Sequence, residues 1–331
     1  VGFLSEPIII VALFEVAIGL ALLTKAADLF VDGAVAIAGA AKISPVVVGA
    51  VIVGFGTSAP ELLVSGIAAL NDDVDLGVGN IVGSNVANLS LVLGAAALVV
   101  PLLVTKAVIA REAPVSLLAV LLFAFFTIGG FAVWEGVVML IVLVAILSWI
   151  VFGGHEDSIE ELEFDEDQTV TKSVVETIGG LIGTLIGAQL MVWGALAIAA
   201  EFGVTGGFIG FTLVAIGTSL PELVTAVAAA KKGETELILG NLLGSNVFNS
   251  LAVGGVIAIL GAGEITDELM SVYGIAIMVV VSTLAWVFMV VRKRISKPEA
   301  IVLLTVYAGA ILLISQTGVG EGIREAIESI A

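Results

Sequence analysis

Glu61 and Glu222 each follow a Gly-Thr-Ser-x-Pro run, Gly56–Pro60 and Gly217–Pro221, and each lies deep in an apolar stretch. A carboxylate in hydrocarbon costs several kcal/mol, so it normally has a partner and marks a pathway. Lys25, the available basic partner, cannot neutralise both. A mobile cation is the economical partner. Protonated glutamates acting only as packing groups are the alternative, and their recurrence in equivalent settings weighs against it. Pro60 and Pro221 lack an N–H and clash with the carbonyl one turn earlier, which frees the C=O of Gly56 and Gly217. Unwound backbone at membrane depth survives only where protein buries it or where it lines a cavity. Each motif is therefore expected to break its helix and turn Thr57, Ser58, Thr218, Ser219 and nearby carbonyls inward.

A second pair of runs adds oxygens: Gly79-Asn80-x-x-Gly83-Ser84-Asn85-x-x-Asn88 and Gly240-Asn241-x-x-Gly244-Ser245-Asn246-x-x-Asn249. Ser84 and Asn88 are four apart, on one helical face, as are Ser245 and Asn249. Gly79, Gly83, Gly240 and Gly244 have the small-xxx-small spacing of close helix packing. Asn80 and Asn85 suit either a ligand role or support of broken backbone. Carboxylates, hydroxyls, amides and carbonyls together suit hard cations. Ca2+ accepts about six to eight oxygens in flexible geometry, whereas Mg2+ dehydrates reluctantly. Two carboxylates balance one divalent charge, and ions of lower charge must arrive in greater number, so Na+ and Ca2+ would compete. With no Cys and one His, soft-metal sites and thiol chemistry are excluded.

The elements that hold these residues are membrane helices. The chain of 331 residues is 60% apolar and 13% charged, with a mean hydropathy of +1.22, against about 45–50% and 25% in a soluble domain. Its net charge of −18 opposes nucleic-acid binding. Ten stretches read as spans: 7–39, 44–70, 75–100, 107–128, 134–152, 173–202, 205–230, 235–260, 270–291 and 297–316. The first and sixth are long enough to require tilt or extension beyond the lipid. No cleavable signal peptide is expected. With the N-terminus outside, the inner loops collect Lys42, Lys106, Arg111, Lys172, Lys231, Lys232, Arg292, Lys293, Arg294 and Lys297. That asymmetry obeys the positive-inside rule and places both termini outside.

Residues 54–94 align without a gap on 215–255 at a constant offset of 161. Five spans per half, an odd number, require the halves to be inverted, an arrangement that places a transporter's site at the repeat interface. The expected fold is an all-α polytopic membrane protein of ten transmembrane helices in two inverted five-helix repeats. The first repeat occupies 1–152, an acidic cytoplasmic linker 153–172, and the second repeat 173–331. The linker, which holds Glu156–Asp167 and the single His155, lacks Ca2+-loop spacing and reads as a solvated connection. A His-based proton relay in the membrane is thereby excluded. Lys25 and Asp28, three apart in the first span, are expected to form a local ion pair.

The doubled motif resembles the two α-repeats of Na+/Ca2+ exchangers of the cation/Ca2+ antiporter superfamily, in their compact prokaryotic form. The resemblance covers essentially the whole chain. It implies that Glu61 and Glu222 coordinate the transported ions, with Thr57, Ser58, Ser84, Thr218, Ser219 and Ser245. It further implies backbone carbonyls near Gly54 and Ala215, while Asn88 and Asn249 match the polar positions of the third and eighth spans. Some relatives, K+-dependent exchangers among them, carry Asp where Asn249 stands, so K+ co-transport is not expected. The implied activity is secondary antiport by alternating access, usually three Na+ per Ca2+ and hence electrogenic. No cofactor, enzymatic step or obligatory protein partner is implied; the partners are Na+, Ca2+ and the bilayer. The implied location is a prokaryotic, archaeal-type plasma membrane. A Ca2+/H+ antiporter is the alternative, followed by a passive cation channel. An intramembrane hydrolase fails for want of a Ser–His or paired-Asp arrangement.

Overall fold

In hydrocarbon every backbone polar group must be satisfied internally, so long apolar runs fold as helices. The computed structural model describes residues 7–41, 43–152, 170–201, 217–267 and 269–328. Its helices are α1 (Pro7–Ala41), α2 (Pro45–Thr57), α3 (Ala59–Leu70), α4 (Val74–Val99), α5 (Val108–Phe126), α6 (Val133–Phe152), α7 (Val170–Glu201), α8 (Leu220–Lys232), α9 (Thr235–Leu260), α10 (Ser271–Arg292) and α11 (Lys297–Glu328). Among the described residues eight helices are long and apolar enough to cross a membrane, and the bent pair α2–α3 makes a ninth. The expected stretch 205–230 begins among residues 202–216, which lie outside the described residues, as does the acidic linker from 153 to 169. The helix expected to end at 316 continues to Glu328.

Burial sorts the helices. The most apolar windows of α4 and α9 are 78% and 89% buried, whereas the other single spans are only 22–44% buried. The helices carrying the Gly-Asn-x-x-Gly-Ser-Asn motifs therefore form the centre, and the other spans lie around them. Close approach explains the motif glycines. A Cβ on Gly240 would sit 2.2 Å from the Val46 carbonyl oxygen, and one on Gly244 would sit 2.4 Å from that of Ala50. The residue numbers of the touching pairs rise together, Val46 with Gly240 and Ala50 with Gly244, so α2 and α9 run parallel.

α1 and α7 form a second unit, packed along most of their length. Gly19 meets the backbone of Gly187, Gly180 meets Phe30, and Gly194 meets Ala12, so these two helices are antiparallel. The unit is tied to the centre at one end by Lys232, whose Nζ lies 2.7 Å from Asp32 Oδ1 and 2.9 Å from the Asp28 carbonyl oxygen. The expected Lys25–Asp28 ion pair does not form: Lys232, in the last turn of α8, reaches across to that stretch of α1 instead. α8 ends there because Gly233 adopts φ +78°, closing the helix behind two cations that favour its negative end. Half-burial raises the carboxyl of the neighbouring Glu234 above its ordinary value; Lys232 opposes that rise and Asp32 adds to it.

Loops also pair. Strand β1 (Leu102–Leu103) lies antiparallel to β2 (Arg294–Ile295), with Leu102 opposite Ile295. Another contact joins Phe131 to Gly263 through backbone hydrogen bonds of 2.8 and 3.0 Å. Nearby in sequence, Asp75 Oδ1 accepts from the N–H groups of Thr266 and Asp267 at 2.9 and 3.1 Å.

Candidate cation site

Both Gly-Thr-Ser-x-Pro-Glu segments break where the proline predicts. Ser58 leaves helical geometry at φ −84°, ψ 5°, and the chain bends by 44° between α2 and α3. Ser219 has almost the same dihedrals, φ −89°, ψ 4°. Each proline falls in the first turn of the new helix, where its missing N–H leaves nothing unpaired. Glu61 and Glu222 thus stand in the first turns of α3 and α8, at the positive ends of the helix dipoles. Downstream, α4 and α9 each contain a π turn, Asn88–Val92 and Phe248–Val253, which opens the helical ladder beside Asn88 and Asn249.

The four segments converge. Glu61 and Glu222 are both 0% exposed. Ser84 Oγ donates to Glu61 Oε1 at 3.1 Å, while Glu61 Oε2 and both Glu222 carboxyl oxygens have no hydrogen-bond partner. Glu222 is close enough to Glu61 for the two carboxylates to repel one another. The side-chain oxygens of Ser58 and Ser219, Asn88 Oδ1 and both amide atoms of Asn249 are likewise buried and unpartnered. The ion pairs among the described residues, Arg111–Glu112, Lys172–Glu176, Lys232–Asp32 and Arg292–Glu299, include neither central glutamate. Two carboxyls without a cationic partner, surrounded by hydroxyl and amide oxygens, form a site of negative potential that a hard cation can neutralise.

Hydrogen bonds across the centre are reciprocal. Thr57 Oγ1 donates to Asn241 Oδ1 at 3.3 Å, and Thr218 Oγ1 to Asn80 Oδ1 at 3.3 Å. Thr57 also meets Ser245 Oγ at 3.5 Å, and Thr218 meets Ser84 Oγ at 3.4 Å. Each threonine contacts the opposite repeat's Asn and Ser, the pattern of an isologous interface. Asn246 Nδ2 donates to the carbonyl of Asn85, its own repeat equivalent, at 3.3 Å. Asn88 Nδ2 donates to Asn246 Oδ1 at 3.1 Å. Asn80 and Asn85, open between two roles in the sequence, both make scaffold bonds here: Asn80 Nδ2 to Ser65 Oγ at 3.0 Å and Asn85 Nδ2 to Ser250 Oγ at 3.0 Å.

The reciprocity is incomplete. Ser84 bonds Glu61, but its equivalent Ser245 donates to the Gly54 carbonyl oxygen at 3.3 Å. That carbonyl, one of the backbone groups singled out from the sequence, also accepts from Ser58 N at 3.1 Å. Its counterpart Ala215 lies outside the described residues. Two residues passed over in the sequence contribute to the asymmetry. Ser65 holds Asn80, whereas its equivalent is Ala226 and Asn241 Nδ2 is left unpartnered. Thr225 stands opposite Val64 in the alignment, and its buried hydroxyl has no partner. Mismatches inside an otherwise well-aligned repeat were the signal for both.

The chain matches the family model described as sodium/calcium exchanger protein over residues 11–152 and 172–316. It is 38% identical over 297 residues to the uncharacterized membrane protein MJ0091 of Methanocaldococcus jannaschii, covering 89% of this chain and 95% of that one. To the sodium/calcium exchanger MaX1 of Methanosarcina acetivorans it is 27% identical over 338 residues, covering 90% and 96%. A solved structure of the sodium-calcium exchanger NCX_Mj, soaked with Na+ and Sr2+, superposes with a TM-score of 0.82 at 36% identity, covering 92% of this chain and 98% of that one. With the sequence matched through both repeats and the fold matched nearly end to end, this chain belongs to the sodium/calcium exchanger protein family.

Proposed function

We propose that this protein is a secondary antiporter that exchanges Na+ for Ca2+ across a prokaryotic plasma membrane by alternating access. One observation carries the reading: two repeat-related carboxyls, wholly buried, ringed by oxygen atoms and paired with no cation of the protein. Glu61 and Glu222 are the central ligands. Thr57, Ser58, Ser84, Asn88, Thr218, Ser219, Ser245 and Asn249 supply further oxygens, with the carbonyls of Gly54 and Ala215. Ca2+ brings the charge that two carboxylates balance and tolerates the irregular coordination such a set offers. Na+ ions must enter in greater number to screen the same pair, so the two cargoes exclude one another.

The architecture that goes with this reading is ten spans in two inverted repeats, 1–152 and 173–331, joined by a cytoplasmic linker at 153–172. The antiparallel contact of α1 with α7 supports it, since these helices occupy equivalent places in the 161-residue repeat. Loop pairing supports it as well. Threading ten spans puts Leu102 and Arg294 on one side of the membrane and Phe131, Gly263, Asp75 and Thr266 on the other, in agreement with the contacts between them. The basic loops then mark the cytoplasmic side and leave both termini outside.

The test is Ca2+ uptake into sealed proteoliposomes under an outward Na+ gradient. Uptake should require internal Na+ and persist with a protonophore. At a stoichiometry of three Na+ per Ca2+, an interior-positive potential imposed with K+ and valinomycin should accelerate it. Uptake driven by a pH gradient without Na+ would establish Ca2+/H+ exchange instead, and downhill flux without a counter-ion would establish a channel.

A further inference from the structure

Behind the central helices, between α5 and α10, lies a small cavity with about 10 Å³ available to the centre of a water-sized sphere. Ser116 of α5 and Ser282 and Trp286 of α10 lie on its wall, and Leu89 and Leu243 close it toward the central helices. Ser116 and Ser282 are 1% and 3% exposed, and Ser116 Oγ, Ser282 Oγ and Trp286 Nε1 are each buried without a hydrogen-bond partner. Native proteins rarely leave such groups unpaired, because each costs about 1–3 kcal/mol. Three of them on the wall of one cavity call for a common ligand.

We infer that this cavity binds one internal water molecule that cross-links α5 and α10. The size selects the ligand, since a cavity needs roughly 10–15 Å³ of such volume for a single water, which then makes about two to four hydrogen bonds. The donor set agrees. The indole N–H can only donate, whereas each serine hydroxyl both donates and accepts. A water can therefore accept from Trp286 and one serine and donate to the other. A halide would suit three donors, but it would bring an unbalanced charge among Leu89, Ala113, Leu243 and Ala285, with no cation lining the cavity. The placement gives the water a structural role: it lies beside Leu89 and Leu243, the neighbours of Asn88 and Gly244, and helps hold the wall behind the central helices.

The decisive measurement is a map of the wild-type protein at a resolution where waters are visible. A single peak within about 2.7–3.2 Å of all three polar atoms is expected. A cavity without such a peak overturns the proposal, as does an anomalous signal there after a bromide soak, which identifies an anion site. Raman spectroscopy of Trp286, in a variant with the other three tryptophans (Trp134, Trp149 and Trp193) replaced by Phe, gives an independent readout. The indole N–H should report a hydrogen bond that weakens in Ser116→Ala/Ser282→Ala, and a free N–H in the parent would contradict the assignment. Na+-driven Ca2+ uptake in Trp286→Phe should stay within about twofold of wild type, because the water supports the wall and carries no ion.

Discussion

At the scale of single residues, the two central glutamates are chemically alike and differently supported. Replacing either with Gln preserves shape and removes the charge proposed to hold a cation. Glu61→Gln and Glu222→Gln should each lower Na+-driven Ca2+ uptake by at least about a hundredfold, the effect of losing a buried charge interaction. Glu161→Gln, in the acidic linker, should transport normally. Wild-type uptake in either central variant would remove that residue from the site. Ser84→Ala deletes the hydrogen bond to Glu61 and should weaken Ca2+ binding about tenfold, whereas Ser245→Ala, which loses bonds to a carbonyl and an amide, should cost less. Calorimetric titration with Ca2+ in Na+-free buffer measures both. The glutamates, hydroxyls and amides were legible in the sequence because each occurs twice at one offset. Ser65 and Thr225 were not, because each occurs in one repeat alone, so the comparison that revealed the others passed over them.

At the scale of helices, the breaks and close contacts decide what substitution the fold tolerates. Gly244→Ala would place a methyl against the Ala50 carbonyl oxygen, and two parallel backbones must separate to admit it. Overpacking of this kind costs about 1–3 kcal/mol, so a fall of several degrees in melting temperature is expected in detergent, read by light scattering or dye binding. Gly179→Ala is the matched control: nothing lies within 4 Å of its added methyl, and gaining helix propensity worth up to about 1 kcal/mol should leave it neutral or slightly more stable. Equal loss in both variants would show that the α2–α9 contact has no special standing. The helix breaks were legible because proline imposes a local rule. The Lys232–Asp32 tie was not. The sequence suggested Lys25 as the cation for α1, but the partner sits 200 residues away, on a helix whose approach only tertiary packing sets.

At the scale of the whole molecule, a cation that binds the folded centre and not the unfolded chain must stabilise the fold. Ca2+ at about a hundred times its dissociation constant should add about 2.7 kcal/mol, seen as a melting temperature that rises with Ca2+ and falls back on chelation. The rise should vanish in Glu222→Gln. The helical membrane character followed from composition, since hydrocarbon leaves few alternatives to helices. The inside-out distribution of polarity did not. The most apolar stretches are the peripheral ones, and the helices richest in Gly, Ser and Asn are the deepest, an ordering set by contacts between helices. The unequal hydrogen bonds of the two repeats carry a last consequence. In the inverted-repeat antiporter proposed above, identical halves would make the forms open to either side of the membrane degenerate, each the other turned over. Ser65 opposite Ala226, Val64 opposite Thr225 and the divergent bonds of Ser84 and Ser245 would lift that degeneracy and give the proposed carrier a preferred facing when unloaded, written into the places where its duplicated halves have drifted apart.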